Sequence, residues 1–176
     1  MRKTKTDWLN EGLMALSEKG VNELTIERMT TRLGVTKGSF YHHFNGQQGF
    51  KMALLEFVEN IGTTEIIDRV ESATSPLDKL TTLLESATSG SVDYERAIRA
   101  WALQDDDVRQ FQLRIDQLRL EYTYQLCAGV LVDKRNARTL ANMLYAILIG
   151  CEQIHPTFDA ADTRHLLKTC VAHFMP

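Results

Sequence analysis

The chain has 176 residues, 44% of them hydrophobic and 24% charged, with a net charge of −3. No apolar run reaches the length needed to cross a membrane, and the opening MRKTKTDWLNEGL lacks the pattern of a signal peptide. Three cysteines, Cys127, Cys151 and Cys170, with no CxxC spacing argue against a disulfide framework and for a reducing cytoplasm.

The first helical pattern places Leu9, Leu13 and Leu16 on one stripe and stops at Gly20. Thr25 is the expected N-cap of the next helix, although Arg28 stands where a full capping box would have a glutamate or glutamine. Ile26, Met29 and Leu33 keep helical spacing, and Gly34 supplies a left-handed stop. Thr36 is the expected cap of a short helix over Lys37 to Phe44. Two short helices joined this closely make a helix-turn-helix, whose second helix enters the DNA major groove. Residues 1–53 hold eight lysines and arginines against five acids, a net +3, so the rest of the chain carries −6. Phosphate attraction is thereby concentrated where the motif lies.

The remainder reads as successive helices. From about Gln47 to Ala73 the stripe is Phe50, Leu54, Phe57, Val58 and Ile61; Ser75-Pro76 opens the next, with Leu77, Leu80, Leu83 and Leu84. After Ser89-Gly90-Ser91, helices are expected over Asp93–Leu103 and Asp106 to about Val132, then Lys134–Gln153 and Ala160–Phe174. About nine helices and no strand result: an all-α chain. It divides into a three-helix helix-turn-helix head at 1–46 and a helical bundle body at 47–176.

Thr25 through Phe44, with the long helix after it, resembles the DNA-binding domain of the TetR (tetracycline-repressor-like) regulators. The most specific stretch is GVTKGSFYHHF, in which Gly34, Val35, Thr36, Gly38, Phe40, Tyr41 and Phe44 match the family pattern. The resemblance covers roughly residues 4–55. Met29-Thr30 stands where members usually have Ile-Ala, and Gln47 where they have a phosphate-touching lysine, a role Lys51 could take instead. The resemblance implies a homodimer on double-stranded operator DNA, most often a repressor, released by a small-molecule effector held in the body.

The DNA-contact set is Thr25, Thr36, Lys37, Gly38, Ser39, Tyr41, His42 and Lys51. Lys37 can donate to guanine or neutralise a phosphate. Gly38 permits close approach to the sugar-phosphate wall. Tyr41 and His42 lie one turn on, where they can reach phosphates or bases, while Phe40 and Phe44 face inward. The candidate effector wall is Arg96, Arg99, Trp101 and Tyr122, with the arginines suited to an anion; the competing reading has Trp101 filling the core. The expected dimer contacts are Leu140, Leu144, Ile147 and Cys151 with Leu167, Val171 and Phe174, which family resemblance places in a four-helix bundle with the mate.

Other constellations are weaker. Cys151 with His155, and Cys170 with His173, have metal-like spacings, but Pro156 would end the helix and no second tight pair completes four ligands. Asp105-Asp106-Asp107 reads as a solvated turn capping the following helix. No phosphate loop, nucleophile elbow or HExxH is present. No enzyme, metal or cofactor is therefore expected, and the alternative to a regulator is a helical protein-interaction module that binds no DNA.

Overall fold

The structure, a computed structural model, describes residues 3–90, 92–154 and 158–175, among which no strand occurs. Ten α-helices follow in order: α1 Lys5–Lys19, α2 Ile26–Leu33, α3 Lys37–His43, α4 Gly46–Glu59, α5 Glu65–Glu71, α6 Pro76–Ala87, α7 Val92–Ala102, α8 Asp106–Val130, α9 Lys134–Gln153 and α10 Ala160–Phe174. A π-turn over Asn60–Thr64 joins α4 to α5, so these read as one interrupted helix and the count becomes the nine expected. The boundary expected at Ser91 and the stop at His155-Pro156 lie outside the described residues.

Two compact units emerge, residues 3–60 with 92–112 and residues 61–90 with 113 onward, so that α7 groups with α1–α4. The reason lies in α1, which packs on α7 as well as on α2 and α4.

In the first unit, α1 opens with a capping box in which Asp7 N donates to Thr4 Oγ1 (3.1 Å) and Thr4 N to Asp7 Oδ2 (2.7 Å). Trp8, wholly buried, sits at the centre of an aromatic cluster. Its ring lies edge-on to Phe40 at 5.4 Å and to Phe44 at 6.2 Å, and Phe50 of α4 closes the group 5.0 Å from Phe44. Edge-to-face rings add to the burial energy itself. Gly12 lets α4 close on α1, since a Cβ there would stand 2.9 Å from Phe50 Cζ.

The second unit is built on Val70, Leu80, Leu84, Leu126, Cys127, Ala137, Leu140, Ala141, Leu144, Leu167 and Cys170. This corrects four of the seven expected dimer contacts. Leu140, Leu144, Cys151 and Leu167 are buried in the chain's own interior, and Ile147, Val171 and Phe174 pack against its edge. A helical stripe reports that a face is covered but not by which chain. The π-turn frees backbone acceptors; here Arg119 donates to Gly62 O (3.0 Å) and Thr63 Oγ1 (2.9 Å). No helix among the described residues is long and apolar enough to cross a membrane.

Candidate nucleic-acid interface

The local fold of the head explains how α3 is presented. Thr25 caps α2 by accepting from Arg28 N at 3.4 Å, and Gly34 ends it in the left-handed region at φ 65°. Met29 is fully buried. Thr30, where alanine is more usual, donates its hydroxyl to Glu27 O at 2.9 Å and is thereby satisfied in the interior. Arg32 then ties α2 to α1 through Glu11 (2.5 Å) and Glu18 (3.0 Å). These bonds raise its pKa further.

Two turns on, Phe40 and Phe44 anchor α3 inward. That leaves Thr36, Lys37, Gly38, Tyr41 and His42 exposed and Ser39 half-buried on the opposite side. Tyr41 is 60% exposed, its ring edge-on to Phe40 at 5.6 Å. The structure thus brings six of the eight expected contact residues to one helix, with Thr25 exposed at the start of α2.

Two expectations at this site need correction. Thr36 takes the N-cap position of α3 with extended backbone, but its side chain makes no cap hydrogen bond. Its hydroxyl is not spent on the helix. Lys51 does not join the exposed set. Its side chain is only 13% exposed, and its ammonium donates to Asp107 Oδ2 at 2.6 Å and to Asp105 at 3.0 and 3.2 Å. Burial pushes the Lys51 pKa down, but the bonds from Asp107 and Asp105 outweigh it and hold the value above that of an ordinary lysine. Asp105 also accepts from Asp107 N and Val108 N (3.0 and 3.2 Å), so it caps α8 as expected while being an ion-pair partner rather than a solvated turn residue. Gln47 is exposed but engaged, its side-chain amide donating to Leu24 O.

Lys37, by contrast, pairs on the surface with Glu27. That bond lowers the Glu27 pKa and raises that of Lys37. Lys3 and Lys5 belong to the basic set behind the +3 balance of residues 1–53. His43 Nε2 lies 2.9 Å from Lys3 O, which fixes the start of the chain beside the end of α3. Only the basic run at the N-terminus hinted at this, because the tether spans 40 positions.

The expected effector wall is not assembled within one unit. Arg96, Arg99 and Trp101 lie on α7 in the first unit and Tyr122 on α8 in the second. Trp101 is buried as core, Arg96 donates to Asp93 at 2.5 Å, and the Tyr122 hydroxyl donates to Glu71 at 2.8 Å. Burial, then the Glu71 bond, raises the Tyr122 pKa beyond the usual tyrosine range. Cys127, Cys151 and Cys170 are buried thiols. Burial lifts Cys127 to about 12. No cluster of three or more potential metal ligands occurs among the described residues.

Comparison with known proteins agrees with this geometry. Residues 9–50 match the family described as bacterial regulatory proteins, tetR family. A curated relative, the transcriptional regulator AcuR of Cereibacter sphaeroides, is 29% identical over 84 residues. That alignment takes in 47% of this chain and 38% of AcuR, so the chain spans well under half of that relative's length. A TetR-family regulator from Streptomyces coelicolor superposes with a TM-score of 0.79 at 16% identity, over 96% of this chain and 88% of that one. The reduced form of E. coli NemR gives 0.78 at 18% identity, over 99% and 98%. Native NalD, the secondary repressor of the MexAB-OprM multidrug efflux pump in Pseudomonas aeruginosa, gives 0.66 at 22%, over 97% and 95%. Residues 9–50 thus match the tetR family of bacterial regulatory proteins, and the chain as a whole shares its all-α fold with solved TetR-family structures.

Proposed function

We propose that this chain is a TetR-type transcriptional regulator, a cytoplasmic repressor that binds double-stranded operator DNA as a homodimer and is released by a small molecule held in its body. The observation that carries the DNA reading is the division of α3. Phe40 and Phe44 lock it to the head, while Thr36, Lys37, Gly38, Tyr41 and His42 stand exposed on one surface. Lys37 and Tyr41 suit phosphates and base edges, and Gly38 suits close approach. A Cβ on Gly38 would meet nothing nearer than Thr36 Oγ1 at 3.6 Å, so the chain's own packing does not demand glycine there. Lys3 and Lys5 join this set in place of Lys51. That NalD is described as a repressor supports the sign of regulation.

Dimerisation is assigned to the outward faces of α9 and α10. Asn142, Met143 and Ala146 on α9, and His165, Leu166, Thr169 and Ala172 on α10, are exposed at spacings of three and four. Gly150 extends the α9 face, since a Cβ there would meet open space. One recognition helix covers too little surface for specific affinity, and a two-fold pair supplies the second. A gel-shift with the DNA immediately upstream of its own gene tests the function. A retarded band competed by that DNA and not by unrelated DNA is expected. Equal competition by both would favour a helical interaction module instead.

A further inference from the structure

A groove in the second unit carries charge that the regulator reading leaves unused. It is a shallow, open depression of about 450 Å³ between α5, α6 and α10, lined by Arg69, Thr82, Glu85, Ser86, Ser89 and Arg164. Arg164 is held in place because its Nε donates to Thr88 Oγ1 at 3.0 Å. The Thr88 hydroxyl is itself fixed by donating to Leu84 O at 2.9 Å. Both terminal nitrogens of Arg164 thereby keep their donors, at a side chain that is only half-buried. Arg69 reaches the same space with a single long contact, Nη1 to Ser86 Oγ at 3.5 Å.

Neither guanidinium has a carboxylate partner among the described residues. Glu85 is the one acid in the lining, and Lys168 engages it at 3.2 Å. The two arginines are therefore not the counter-ions of Glu85. Ser86, buried, accepts from Arg69 and retains its own proton, and Thr82 adds a second hydroxyl on the same helix.

We propose that this groove is a binding site for a small oxyanion, a carboxylate or phosphate group of a metabolite, held by Arg69 and Arg164 with the hydroxyls of Thr82 and Ser86. Guanidinium is the side chain best matched to such groups, since its planar fork gives paired charge-assisted bonds. The competing account makes Arg164 a cap of the C-terminal end of α6, whose carbonyls favour a cation. That account explains Arg164 but leaves Arg69 and the Thr82 hydroxyl without purpose. Binding in this groove is independent of whether the head reads DNA, so a failed gel-shift would not bear on it.

The test is isothermal titration of the full chain with sodium succinate and, separately, with inorganic phosphate, at ionic strength held constant with sodium chloride. Saturable binding below about 1 mM is expected for at least one of them, and the one that binds identifies the class. Arg69→Gln and Arg164→Gln should each weaken it by about tenfold or more, the effect of losing a hydrogen bond to a charged group. Arg69 is exposed, so its variant decides the matter even if Arg164→Gln folds poorly. Binding unchanged in both folded variants, or heats no larger than those of sodium chloride, would overturn the proposal. So would an Arg164→Gln variant that melts earlier yet titrates as before together with an unaffected Arg69→Gln.

Discussion

Lys37 and Lys51 are both lysines of the first unit, and the structure gives them opposite work. Lys51→Met keeps the buried stem and removes the ammonium. What is lost is its bond to Asp105, whose side chain is 25% exposed, and to the more open Asp107. Removing one partner of a fully buried pair costs about 3–5 kcal/mol, whereas exposed pairs contribute about 0–1 kcal/mol. Asp105 keeps two backbone donors after the change, from Asp107 N and Val108 N. An intermediate loss of about 2 kcal/mol follows. For a chain of this size that lowers the melting temperature by about 4–8 °C. The same variant should bind operator with an unaltered dependence of log affinity on log salt, because no phosphate contact is lost. Lys37→Ala should do the reverse, melting as before while the salt slope falls by about 1 for each half-site contact. Calorimetric melts and gel-shifts at four salt concentrations would separate them. A shallower salt slope for Lys51→Met with an unchanged melt would refute the reasoning and return Lys51 to the DNA surface.

The same ion cluster should shape the acid and alkaline limits of stability. Asp105 and Asp107 are held below their ordinary 3.8, so their contribution is present above about pH 4 and is lost as the pH falls through the lowered values. Lys51 is held above 10.5, so its share is present below that pH and lost on rising through the folded value. Melts across pH should show a flatter acid limb for Lys51→Met than for the unmodified chain. Gly12→Ala should destabilise the head, because its methyl would press on Phe50 and Leu54, both fully buried. Overpacking costs about 1–3 kcal/mol against about 1 kcal/mol of helix propensity gained, and a urea midpoint higher than that of the parent would contradict it. Ala146→Arg on the outward face of α9 should give folded monomers by sedimentation, whereas Leu144→Asp, placed in the interior, should unfold the chain. A folded monomer from Leu144→Asp would restore that residue to the interface.

What could be read from the sequence was local. Thr25, Gly34, Phe40 and Phe44 act within one or two turns of themselves, so spacing and residue type identify their roles. The aromatic set around Trp8 was half visible, since Phe40 and Phe44 read as inward but nothing local ties them to a tryptophan over thirty positions earlier. Lys51 shows the limit more sharply, because its partners Asp105 and Asp107 lie 54 and 56 positions away. Each end had a sensible reading alone, as a phosphate contact and as a solvated turn, and only the fold makes them one feature. The α9 and α10 stripes failed for a different reason. Periodicity finds the apolar face correctly, but a face covered by Leu80, Leu84 and Leu126 of the same chain has the same pattern as one covered by a mate.

The charge of the head must also be counted after pairing. Arg28 pairs with Glu23, Arg32 with Glu11 and Glu18, and Lys51 with Asp105 and Asp107. Three of the eight cations in residues 1–53 are thus engaged within the protein. Lys37 differs because both it and Glu27 are more than half exposed, at 58% and 67%. An exposed pair is cheap to break, so a DNA phosphate can replace Glu27 at little cost. Lys3 and Lys5 form no salt bridge among the described residues and need no such exchange. The electrostatic grip in the proposed complex therefore rests on the start of the chain and the first turn of α3, and not on the net charge of the head as a whole.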